Sequence, residues 1–239
     1  MTDESLPELN PSQVVRLQDA LLANADALLT AALSVLELGQ PALARSLAIL
    51  GLEESGKAIA IHDRRSEMAF AEEGADFTTK QLRQLWTSHT SKLNAVYDFL
   101  VEERYWFDVE PPDPSANAAA LGAVQGWARR HNTDKQRGFY VDVKPDGGAH
   151  GPAEVEVDAT SLREIIDRVH QIGWQLRLGE HIEWRGQQDL TAVDDRHSDA
   201  EELRPRNVAY RFTPGGTERL GETGYEAMTR EVEALRDDG

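Results

Sequence analysis

PALARSLAILGLEESGKAIAIHDRRSEMAFAEEG, residues 41–74, opens on a proline, meets no second one, and is spaced as a helix that runs past Met68 towards Gly74. Proline suits the first turn, where its missing N–H would have no helical partner. Leu43, Leu47, Leu50, Glu54, Lys57, Ile61 and Met68 recur every three or four residues. At about 100° per residue they fall in one narrow stripe, expected to be the packed face. Glu54 and Lys57 then stand in the middle of that face. Glu53 is more lateral and, four residues before Lys57, can also pair with it. Charges on a packed face are costly unless paired or hydrogen-bonded. Two readings are open: an ion pair that fixes helix register, or a polar site between helices kept for chemistry or ligand binding.

The same texture extends on both sides. Asn10 and Pro11 start a helix that Val15, Leu17, Leu21, Leu22, Leu28, Leu29, Leu36 and Leu38 carry to Gly39. Thr78 or Thr79 caps a third helix, running to about Glu103. Its apolar stripe of Leu82, Leu85, Leu93, Val96 and Leu100 includes His89, which is expected to point inward, with Lys92 one turn on at the flank. If the two striped faces meet, Glu54, Lys57, His89 and Lys92 share one polar cluster.

Pro111, Pro112 and Pro114 make residues 108–117 a loop, followed by a shorter helix over about 118–131. GFYVDV, residues 138–143, alternates like a strand, and Glu154 to Val157 is expected to pair with it in a hairpin over about 138–157. Asp134, Lys135, Gln136, Arg137, Tyr140 and Asp142 form a polar knot around it. Asp158 to Trp184 is helical again, with Leu162, Ile165, Ile166, Val169, Ile172 and Leu176 on one face. On the opposite face Arg163 and His170 lie two turns apart, about 10 Å along the axis. So aligned, they could hold a phosphate and move a proton; a solvated charged face is the ordinary alternative. Beyond Gly186 the chain is polar, with a strand expected over 208–212 and a last helix marked by Tyr225, Met228, Val232 and Leu235. The fold expected is all-α: an antiparallel bundle over 11–186 with a small β-hairpin insert, and a polar, acidic C-terminal appendage over 187–239.

Composition narrows the chemistry. The chain has 239 residues, 40% of them hydrophobic, and no cysteine, which excludes disulfides, thiolate nucleophiles and cysteine-based metal sites. A net charge of −17 disfavours broad electrostatic adhesion to nucleic acid or anionic membrane, though not a local basic cleft. There is no HExxH, and Glu54 with His89 gives too few ligands for a catalytic zinc, so neither metal nor cofactor is expected. Gly215-Gly216 lacks the Lys-Ser/Thr of a phosphate-binding loop, and no nucleophilic serine elbow occurs. The acidic, polar start is unlike a signal peptide. Charges interrupt the apolar stretches, so no membrane span and a cytoplasmic location are expected.

LAILGLEESGKA (residues 47–58), a following helix with HTSK (89–92) and then DKQRGFYVDV (134–143) together resemble the abortive-infection V (AbiV) family. That family is counted among the HEPN domains (higher eukaryotes and prokaryotes nucleotide-binding). The resemblance covers roughly Asn24 to Trp184. It implies an all-α bundle that often forms homodimers, and a role in bacterial defence against phage by halting the infected cell. Carried over residue by residue, it falls on Glu53, Glu54, Gly56, Lys57, His89, Lys92, Lys135, Tyr140 and Asp142. Many HEPN proteins are metal-independent endoribonucleases that use an Arg, four to six residues, and a His. Arg83 with His89 and Arg163 with His170 fit that spacing, but the first pair lies about 240° apart on one helix and cannot readily act together.

Two functions follow as expectations. One is an endoribonuclease acting on an RNA substrate, with catalysis by Arg163 and His170, or by His89 with Lys57, Lys92 and Glu54. The other is a non-catalytic binding or sensing module that acts through a phage or host protein partner.

Overall fold

The computed structural model describes residues 6–72, 74–102, 113–190, 210–213 and 216–219. Among them helix predominates: α1 (Pro11–Glu37), α2 (Pro41–Met68), α3 (Lys80–Thr87), α4 (His89–Glu102), α5 (Pro114–Leu121), α6 (Val124–Phe139) and α7 (Ala159–Leu190). The expected all-α bundle is the fold observed.

Local chemistry sets the starts. Asn10 accepts from the Gln13 N–H while Gln13 accepts from the Asn10 N–H, a reciprocal capping box ahead of Pro11. Thr79 caps α3 through the Leu82 N–H at 3.1 Å. The loop before α3 is tied to the N-terminal segment: the Glu8 carboxylate accepts from the Phe77 and Thr78 N–H groups at 2.6 and 3.0 Å. Arg83 donates to the Leu6 carbonyl at 3.3 Å and so belongs to this tie.

Helix α2 is central, packing on α1, α4, α6 and α7. Its small residues make this possible: Ala42, Ala44, Ser46, Ala48, Gly51, Ser55, Gly56 and Ala58 are all buried. Enclosure on so many sides overturns the stripe reading. Leu43, Leu47, Leu50, Glu54 and Lys57 trace the half-buried edge of α2, whereas Glu53, expected to be lateral, is only 2% exposed. The α7 reading stands, since Leu162, Ile165, Ile166, Val169, Ile172 and Leu176 all enter the core.

Two further corrections concern the site. The expected third helix is two, broken at Ser88, whose extended backbone (φ −108°, ψ 113°) separates α3 from α4. His89 is therefore the first residue of α4 and exposed, not an inward core residue. The single helix expected over about 118–131 is two: α5 begins at Pro114, inside the expected loop, and ends at Leu121, while α6 runs to Phe139, so Gly138 is helical and not part of a strand. The hairpin is smaller than expected: β1 (Asp142–Val143) pairs antiparallel with β2 (Ala149–His150), whereas the expected partner, Glu154 to Val157, is not a strand and Glu154 closes a 3-10 turn from Pro152.

Near the C-terminus, β3 (Tyr210–Thr213) pairs with β4 (Gly216–Arg219) and contains residues 210–212 of the strand expected over 208–212; residues 208–209 and the expected final helix lie outside the described residues. Contrary to expectation, α1 is long and apolar enough to cross a membrane, because only Asp19 and Asp26 are charged between Arg16 and Glu37. In the bundle its Val14, Leu21, Leu22, Leu29 and Leu33 are buried against the other helices.

Candidate active site

Glu53 is the hub. Its Oε1 accepts from the Lys135 ammonium of α6, and its Oε2 lies 2.6 Å from His89 Nδ1 of α4. Lys135 Nζ is also 3.1 Å from the same Nδ1, and Lys92 Nζ is 4.0 Å from Oε2. On the half-buried edge next to Glu53, Lys57 Nζ bonds Glu54 Oε1 at 2.5 Å and sits 5.4 Å from the centroid of the Trp86 ring. The structure thus brings together six of the residues named from sequence, drawn from three helices.

Two glycines permit the assembly. A Cβ on Gly56 would press on the Lys92 carbonyl oxygen and stand 2.9 Å from its carbonyl carbon, so α2 and α4 meet main chain to main chain. A Cβ on Gly138 would strike Ser46 Oγ and the Ala42 carbonyl. Each glycine lies three residues after a site residue, Gly56 after Glu53 and Gly138 after Lys135, on nearly the same helix face. Close approach by these glycines seats His89 and Lys135 on one carboxylate. The Ser46 hydroxyl adds a bond to the Lys135 carbonyl at 2.8 Å.

Electrostatically the cluster is graded from inside to outside. The side chains of Glu53 and Lys135 are 3% and 4% exposed, Lys92 is 9% exposed, and His89 is 51% exposed. Burial, together with the nearby Lys57 ammonium, holds Lys92 below the usual lysine range, while Glu53 and Glu54 pull it back up. With the Nδ1 proton donated to Glu53, His89 keeps a lone pair on Nε2, on the far side of a half-exposed ring. That is the arrangement of a carboxylate-oriented general base.

The other named residues lie elsewhere. Tyr140 and Asp142 are exposed beside and within the hairpin, and neither is among the side chains joined at Glu53. Arg163 and His170 flank Asp167 on α7, where Arg163 is exposed and His170 half-buried. A cavity of about 400 Å³ between α2, α3 and α4 is lined by Asp63, Arg64, Glu67 and Phe99 among others, and holds none of the cluster.

Sequence reasoning placed Lys135 in the cluster only through the family resemblance, because its helix appeared to have ended. It also passed over Trp86, whose position three residues before His89 was the available signal. Neither a curated protein nor a solved structure matches this chain. A family model described as AbiV, of the HEPN class, does match over residues 13–174, more than half the chain and all three helices that build the cluster. The chain therefore belongs to the AbiV-type HEPN family, whose membership points to abortive-infection defence.

Proposed function

We propose that the chain is an abortive-infection effector that cleaves RNA without a metal ion, with His89 as the proton carrier. The observation that carries this reading is the half-exposed imidazole held at Nδ1 by a carboxylate that is itself almost fully buried. Nε2 takes the proton of a ribose 2′-hydroxyl, and the oxygen attacks the adjacent phosphorus. The bond to the 5′-oxygen breaks, leaving a 2′,3′-cyclic phosphate and a 5′-hydroxyl. Glu53 stabilises the imidazolium, and the lysines offset charge on the phosphorane. The leaving oxygen is protonated from the opposite side, a role we give to a second copy in a homodimer. The local lysines offset the acidic bulk of the protein, and we place the reaction in the cytoplasm.

The test is incubation of purified protein with total cellular RNA in EDTA. Cleavage should be lost in His89→Ala and kept in Arg163→Ala/His170→Ala. The reverse pattern would transfer the chemistry to α7, and wild type inert even with magnesium would sink the nuclease reading. The three-helix tie at Glu53 favours one alternative, a binding module whose cluster holds its shape. Stoichiometric capture of one phage or host protein by a chain inert on RNA would select it.

A further inference from the structure

The charges in the cluster do not balance. Glu53 and Glu54 supply two negative charges, and Lys57, Lys92 and Lys135 supply three positive ones. Lys57 is taken by Glu54 at 2.5 Å, and Lys135 is taken by Glu53. The remaining oxygen of Glu53 is engaged by His89 at 2.6 Å. Lys92 is left 4.0 Å from that oxygen, beyond hydrogen-bond distance, with its side chain more than nine-tenths buried. Its ammonium donates no hydrogen bond among the described residues. An ammonium at the end of a largely buried side chain, with an ion pair but no hydrogen-bonded partner, is one that an anion arriving from solvent can complete.

We propose that Lys92 is the anchor of an oxyanion site that holds one phosphodiester group beside His89. One surplus positive charge matches the single negative charge of a diester. His89, three residues earlier on α4, lies on the same side of the helix, at its N-terminal end where the helix dipole also favours an anion. Lys57 stands next to the site as a second cation held by Glu54, and Trp86 beneath it limits how far it can swing away. The site deepens the proposed ribonuclease reading by naming what binds before any bond breaks.

The experiment uses the full chain and no cleavable RNA. Equilibrium dialysis against labelled inorganic phosphate, at ionic strength held constant with chloride, should show saturable binding of one phosphate per chain. Lys92→Met should weaken it by about tenfold, in keeping with loss of a charge-assisted bond, while Lys92→Arg retains it. Lys144→Met, on the hairpin, should leave it unchanged. A thymidine dinucleoside monophosphate, a diester with no 2′-hydroxyl to react, should displace the phosphate.

Absence of saturable binding, or equal binding by Lys92→Met, would overturn the site. Failure of the dinucleotide to compete would overturn the diester assignment. If Lys92→Met does not fold, phosphate should still protect Lys92 of the wild type from an amine-modifying reagent, read by mass spectrometry; no protection also overturns it. Phosphate binding by a protein inert on RNA would end the nuclease reading and keep this site. Cleavage that needs His89 but occurs without phosphate binding would do the opposite.

Discussion

Gly56 of α2 faces the main chain of Lys92 of α4 with no room between them for a methyl group. The contact fixes the spacing of the two helices one turn from Glu53. Gly56→Ala gains helix propensity of about 1 kcal/mol, but the overlap is with backbone, which cannot rotate out of the way. The expected net effect is a loss of about 1–3 kcal/mol, measured by urea unfolding, with a larger fractional loss of the proposed RNA cleavage than the stability change explains.

Glu53→Gln leaves Lys135 buried without its counter-charge. A destabilisation of about 3–5 kcal/mol is expected from breaking a buried pair on one side only. The double variant Glu53→Gln/Lys135→Met should recover most of it. If the single variant is as stable as wild type, Lys135 is not held where the structure puts it.

Lys92→Met should behave oppositely, because it removes the surplus buried cation. The depressed pKa of Lys92 in the fold means that the protonated amine costs stability, and that this cost fades as pH rises from its folded pKa towards the unfolded value. The variant should therefore equal or exceed wild type in thermal stability near neutrality, with the gap closing at alkaline pH. A variant markedly less stable than wild type would contradict this.

His131 supplies a test in acid. It stacks on Trp127 at 4.1 Å between centroids, and burial, with Arg168, Arg130 and Arg45 nearby, pushes its pKa down to about 4, against the pull of the Trp127 carbonyl. The unfolded chain takes up the proton near pH 6.5 and the folded chain does not, so stability is whole above that pH and falls between about 6.5 and 4. His131→Phe, which keeps a stacked ring, should lose roughly 3 kcal/mol less than wild type over that window. Parallel acid curves for the two proteins would refute the assignment.

Much of this was legible in the sequence where one helix face meets one neighbour, as on α7. It was not legible on α2, because a helix enclosed by several others has no single apolar stripe, and the periodic leucines mark the half-buried edge. The break at Ser88 carries neither Gly nor Pro. Its trace was Ser88 itself, whose hydroxyl accepts from the Ser91 N–H at 3.2 Å as a helix-starting residue does. Gly138 read as the start of a strand because pattern alone cannot tell a glycine that turns the chain from one that lets two helices touch.

The two contacts that define Glu53 reach across 36 and 82 positions of the chain. Contacts so distant carry a loop-closure cost that contacts within one helix do not. During synthesis, therefore, a nascent chain that has delivered α2 and α4 but not α6 presents Glu53 without Lys135. The centre is complete only once α6 has been made, so a product that ends before residue 135 holds Glu53 without its Lys135 partner. For an effector of the proposed kind, whose activity endangers the cell that makes it, the length of chain between the partners of one carboxylate sets the earliest moment at which the proposed activity can begin.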